Sequence, residues 1–206
     1  MTGRTTTIDT RTRLLAVAFE EIHRSGYQAA SINNILAAAS LTKGALYHYF
    51  PDKRALGLAV VEEVIRPRLA AMMLEPLAAT SAPLATLQNL LRTRLAEENP
   101  LVVTLGCPLN NLMQEMSPVD ETFRLRLNAL FEDWVRTLAE ALVRGQAAGE
   151  VDAALDAQET AFFIIAALEG CIGMSKNTQS VAVYRACLQQ LLRYLTTLRN
   201  PLSSFE

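Results

Sequence analysis

Apolar residues recur along this chain at intervals of three and four, the spacing that lines one face of an α-helix. Over residues 10–24 they are Leu14, Leu15, Ala18, Phe19 and Ile22, and Ser25-Gly26 predicts the stop, glycine being the common residue just past a helix end. Ile32, Ile35 and Leu36 form a second stripe over 32–39, opened by Ser31 as N-cap, with Asn33 and Asn34 on the wet side. Ser40-Leu41 breaks the pattern. Thr42 then caps a third helix over 43–48, in which Leu41 and Leu46 pack back while Lys43, Ala45, Tyr47 and His48 face outward, and Gly44 keeps that surface low. Phe50-Pro51-Asp52 closes the unit, because proline disfavours helical geometry at Phe50 and Asp52 caps the next helix. Two short helices joined by a tight turn make a helix-turn-helix.

From Asp52 a long helix runs through Leu56, Leu58, Val60, Val61 and Val64 toward Leu69, the link between this head and the rest of the chain. Pro67 is predicted to kink or end it, and Pro76 and residues 80–83 mark another break. A helix over 84–98 turns Leu87, Leu90, Leu91 and Leu95 inward, 99–106 reads as irregular, and Pro108 opens a short helix. Ser117-Pro118-Val119-Asp120 has the look of a helix start, serine as cap and proline first. That helix runs to about Ala148 with Phe123, Leu127, Leu130, Phe131, Trp134, Leu138 and Leu142 as its stripe. Asp156 and Glu159 resemble a capping box for 157–176, which is apolar on nearly every face through Phe162, Phe163, Ile164, Ile165 and Leu168. Ser180 caps a last helix to about 199, carrying Tyr184, Leu188, Leu191, Leu195 and Leu198. The fold class is all-α, about nine helices.

Composition agrees: half the residues are hydrophobic and only 6% aromatic, with leucine and alanine dominant. The net charge of −2 hides an asymmetry, +3 over residues 1–54 and −5 over 55–206, which suggests a basic reading head (1–54) on an acidic helical body (55–206). Cys107, Cys171 and Cys187 have neither disulfide-framework nor zinc-finger spacing, so a reducing cytoplasm is the expected compartment. The longest apolar run, 161–168, is too short to span a bilayer, and no membrane partner is expected. Residues 1–8 read as a polar arm. The last two helices hold more apolar surface than a chain this size covers. Either both complete its own core, or a second copy packs on Tyr184, Leu188, Leu191 and Leu195, with Gly170 and Gly173 admitting a neighbouring backbone.

Cys107, Asn110, Asn111 and Gln114 form a polar cluster beside Met113, Phe131 and Trp134, a candidate ligand site. Glu169 interrupts the most apolar helix, and a carboxylate there needs a partner or a pocket. Cys107 as a reactive thiol would make the chain an electrophile or redox sensor instead. The body has no histidine, glycine-rich phosphate loop or catalytic or metal-ligand grouping, so no enzyme activity, cofactor or metal is predicted. A helical protein-interaction adaptor would leave the amino-terminal motif unexplained.

The run Ser31-Ile32 through Ile35-Leu36-Ala37-Ala38-Ala39-Ser40-Leu41-Thr42-Lys43-Gly44-Ala45-Leu46-Tyr47-His48-Tyr49-Phe50-Pro51-Asp52-Lys53 resembles the DNA-binding domain of TetR-type one-component repressors. The resemblance covers about residues 9–60. It implies that Ser31, Thr42, Lys43, Tyr47, His48 and Lys53 occupy positions that contact DNA; Asn33 and Ala45 share the same outer surface. It further implies a homodimer on a palindromic double-stranded operator, released when a small molecule binds inside the body. The segment 106–117 looks like that of a subgroup with small-molecule or electrophile effectors. Ser40 departs from the family's usual turn glycine and must take a less favourable backbone geometry.

Overall fold

The computed structural model describes residues 9–97 and 100–201, so the amino-terminal arm lies outside the described residues. Helices α1 (Thr10–Ser25), α2 (Ile32–Ala39) and α3 (Lys43–Tyr49) form where the apolar stripes placed them. Their caps are the expected ones: Gly26 at φ +81° sends its N–H to the Ile22 carbonyl, and the Ser31, Thr42 and Asp52 side chains accept from the backbone N–H three residues on. Ser40 holds the left-handed conformation at φ 52°, with the Leu41 N–H reaching the Leu36 carbonyl and its own reaching Ala37, a Schellman turn made without glycine. Ser40→Gly should therefore stabilise the chain by about 0.5–1 kcal/mol, the relief of the side-chain clash exceeding glycine's extra unfolded-state freedom. Urea unfolding with an unchanged m-value checks it.

The link helix corrects the expectation. Residues 53–79 form one continuous helix, α4, and neither Pro67 nor Pro76 ends it. Two wide π turns, Val61–Ile65 and Ala70–Leu74, stand just before the prolines. A proline ring collides with the carbonyl four residues back, here at residues 63 and 72, and each of those sits within a widened turn. The Arg144 guanidinium caps the far end, donating to the Leu77 carbonyl at 2.7 Å.

After α5 (Pro83–Ala96), the stretch expected to be irregular contains a further helix, α6 (Pro100–Leu105); Asn99 lies outside the described residues. The Gln179 amide donates to the Val103 and Thr104 carbonyls at its end. α7 (Pro108–Met116) follows as expected. The next helix, α8 (Glu121–Ala147), starts later than predicted: Ser117 still belongs to the α7 tail, its N–H bonded to Met113, and the cap is Asp120, whose Oδ1 accepts from Thr122 and Phe123. α9 (Ala157–Thr178) and α10 (Val181–Thr197) open on Asp156 and Ser180.

The helices cluster into two compact units: residues up to Pro67 with Asn111–Leu127, and Arg68–Asn110 with the chain from Asn128 on. In the second, α9 packs on α10 and α6, and α10 on α5. The α10 stripe read as an intermolecular contact is instead consumed there. Leu188 and Leu195 are fully buried, and Tyr184 and Leu191 nearly so, by the chain's own helices. Although 22 residues long and largely apolar, α9 is not covered all round. Ile164, Ile165 and Leu168 are buried, but Phe162 (43%), Phe163 (53%) and Met174 (58%) are exposed, and an added Cβ at Gly170 or Gly173 would meet nothing within 4 Å.

Candidate functional site

On α3 the outward set stands as the pattern implied. Thr42, Lys43, Gly44, Tyr47 and His48 are exposed, Ala45 is half-buried, and Leu46 alone anchors the helix in the core. Asn33 is exposed on α2. Tyr49, which the sequence pattern did not single out, is exposed too, its ring edge-on to His48 at 4.9 Å. Backbone amides at the α3 start, a neighbouring ammonium and short projecting side chains suit a phosphate and a major groove. Lys53 is more constrained. Its Nζ donates to the Gln28 carbonyl at 2.9 Å and sits 5.0 Å above the Tyr27 ring, so one of its three protons is committed within the head.

Two carboxylates that sequence reasoning missed hold this surface in shape. Glu21 is buried at 4% exposure beneath α2, accepting from the Ser31 N–H at 3.2 Å, the Asn34 amide at 2.9 Å and the Arg24 guanidinium. Burial pushes its carboxyl up, but the bonds from Asn34, Ser31 and Arg24 outweigh that and leave it below its ordinary value. The signal was there, since Glu21 falls on the Leu14–Ala18 face of α1. Glu115 on α7 accepts from the Tyr27 and Gln28 N–H groups at 2.8 Å each, clamping the turn between α1 and α2. Nothing in its sequence context marks it. Arg54 grips Asp120 (2.6 and 3.0 Å) and Thr122, and chiefly for that reason the half-buried Asp120 carboxyl is held at about 2. Gly57 is required where it is: a Cβ there would stand 2.5 Å from the Tyr27 ring and 2.9 Å from Phe123.

In the second unit three of the predicted ligand residues meet. The Cys107 thiol and the Asn110 side chain both bond to Glu169, with Arg94 near and the Tyr184 hydroxyl beside Arg94. Burial raises the Glu169 carboxyl, though Cys107, Arg94 and Asn110 pull the other way, and its Oε2 is buried with no hydrogen-bond partner among the described residues. Burial first, and Glu169 second, push Cys107 up to about 12, the reverse of what a nucleophilic thiol needs. Trp134 lines an enclosed cavity with Met73, Leu87, Leu91, Leu138 and Ile165, and its buried Nε1–H also has no partner among the described residues. Only about 10 Å³ of that space is wide enough for a water molecule. Phe131 instead stacks on Phe162 at 5.9 Å. Asn111, Met113 and Gln114 are grouped with the head unit, and Gln114 is exposed.

Comparison with known proteins gives two matches that together take in most of the chain. Residues 14–60 match the family described as bacterial regulatory proteins, tetR family, and residues 83–191 match the tetracyclin repressor-like C-terminal domain. An uncharacterised HTH-type transcriptional regulator of Lactococcus lactis is 30% identical over 85% of this chain and 87% of its own length. Transcriptional regulator AcuR of Cereibacter sphaeroides is 35% identical over 79% of this chain and 74% of its own. The crystal structure of regulatory protein TetR from Rhodobacter sphaeroides superposes with a TM-score of 0.79 at 29% identity, covering 89% of this chain and 97% of that one. These relatives are transcriptional regulators by name, and the fold described above is shared with the solved one. The chain belongs to the TetR family of helix-turn-helix transcriptional regulators.

Proposed function

We propose that this regulator is a homodimeric repressor that leaves a palindromic operator when a small molecule enters its body. The observation that carries the reading is α3, with Thr42, Lys43, Tyr47 and His48 exposed around a single buried leucine. Two such helices, separated by about 34 Å or a multiple of it, would read successive half-sites on one side of the duplex. A second copy supplies the pairing, and the surface that suits it is the exposed α9 face of Phe162, Phe163, Gly170, Gly173 and Met174. Operator binding would place the protein with the chromosome, in the cytoplasm.

The effector site is best read as the cavity against Trp134. Its walls are apolar, and one buried N–H lacks a partner, so a fitting guest is small, largely apolar, and carries a hydrogen-bond acceptor for Nε1. The space is closed, so binding must spread the helices around it. The guest thus favours a different conformation, which is the condition for coupling to DNA. α7 is the route that the contacts support: Asn110 touches Glu169 near its start, and Glu115 holds the Tyr27–Gln28 turn near its end.

Lys43→Ala should weaken operator binding several-fold while leaving the dimer intact. It should also lower the slope of log affinity against log salt by about 2, one phosphate contact per head. An unchanged affinity and slope would remove Lys43 from the interface. Compounds that raise the melting temperature should weaken the same complex; a binder at Trp134 that leaves operator affinity untouched counts against the effector reading.

A further inference from the structure

The three cysteines are far apart in sequence, yet the fold brings two of them together. α9 and α10 pack against one another, and their register is set by the Phe163 and Tyr194 rings, 4.9 Å apart and edge to face. Two turns on from Phe163 along α9 is Cys171, and two turns back from Tyr194 along α10 is Cys187. The two thiols share a hydrogen bond, and both are free. Cys171 is buried and Cys187 half-buried, so of the two residues Cys187 is the one a reagent reaches first.

We propose that Cys171 and Cys187 form a dithiol site for neutral trivalent arsenicals, compounds with two exchangeable hydroxyls on arsenic. In the reaction each As–OH bond is exchanged for an As–S bond, and each thiol proton leaves on a departing hydroxyl as water. Arsenic remains trivalent, so no oxidant or reductant is needed. The chemistry suits the surroundings. Burial, and then the Cys187 thiol, push Cys171 up to about 12, so a divalent metal, which needs thiolates, would have to strip a proton that the site holds firmly. The arsenical adduct is uncharged and leaves no charge in an apolar seam. Nor must the sulfurs close to the roughly 2.05 Å of a disulfide, because the arsenic bridges them.

The test uses phenylarsine oxide on the full-length folded protein, followed by a wash with excess monothiol and denaturing mass spectrometry. The wild type should retain one phenylarsenic group per chain, less two hydrogens, because a two-sulfur adduct resists a monothiol that strips a one-sulfur adduct. Cys107→Ser should retain it equally. Cys171→Ser, Cys171→Ala and Cys187→Ser should each lose it, with circular dichroism melts showing that they remain folded. The proposal is overturned by a wild type that keeps no adduct, by retention in a folded Cys171 or Cys187 variant, or by loss in Cys107→Ser.

Discussion

A chain carrying Phe162→Glu and Phe163→Glu should run as a monomer and lose operator affinity by about 100-fold or more. Both rings are about half exposed on α9, beside two glycines whose missing side chains leave the backbone open to approach. Four like charges would then face one another across a two-fold contact, which costs far more than the lost ring packing on Phe131 and Tyr194, about 0.5–1.5 kcal/mol per pair. Affinity follows assembly. The second head of a dimer binds from an effective concentration in the millimolar range, and a monomer has no second head. Light scattering and a gel-shift titration check the two halves, and a dimer that survives places the contact elsewhere. Charging Leu188 and Leu195 is a different experiment: both are fully buried in the chain's own core, so the expected outcome is unfolding.

Glu21→Ala should destabilise the head by about 3 kcal/mol and weaken operator binding with it. Its carboxylate accepts from the Ser31 N–H, the Asn34 amide and the Arg24 guanidinium from a nearly solvent-free position; its removal breaks all three charge-assisted bonds and leaves a void beneath α2, although the exposed Arg24 and Asn34 can turn to water. The affected backbone is the α2 start, which is what sets α3 at its angle. The pH dependence has a definite sign. The folded carboxyl lies below its unfolded value, so its contribution is fully present above about 4.5 and is lost as the pH falls through the folded value. Denaturant titrations of both proteins at pH 7 and below 4 should therefore converge toward acid. A gap that widens toward acid would mean that Glu21 is not held as the anion.

The head was legible in the sequence because its determinants are local. Ser31, Thr42 and Asp52 each cap a helix three residues away, and Leu46 sits within the same seven-residue helix that it anchors. The features that stayed hidden depend on distant partners. Glu115 acts on residues 87 and 88 positions earlier, and Arg54 on a carboxylate 66 positions later. The α10 stripe was seen correctly as apolar, but periodicity shows only that a face is covered, not whether the cover is the same chain or another. Cys107 stands out by its chemistry and Trp134 by its place in a stripe; only the fold reveals that the thiol is muted by burial and then by Glu169, while the indole N–H lacks a partner among the described residues.

Along α4 every fourth residue from Gly57 on is buried, namely Gly57, Val61, Ile65, Leu69, Met73 and Leu77, with Leu56 and Val60 buried beside the row at its start. At ordinary α pitch such a row would drift by about 40° at each step and spiral off its side of the rod within a few turns. The two π turns take up that drift, so the number of residues in each, rather than any one side chain, keeps the row straight. A homologue that winds either segment as plain α-helix would thus align to this chain with a single-residue gap there, and matching it without the gap would pair inside positions with outside ones from that point on.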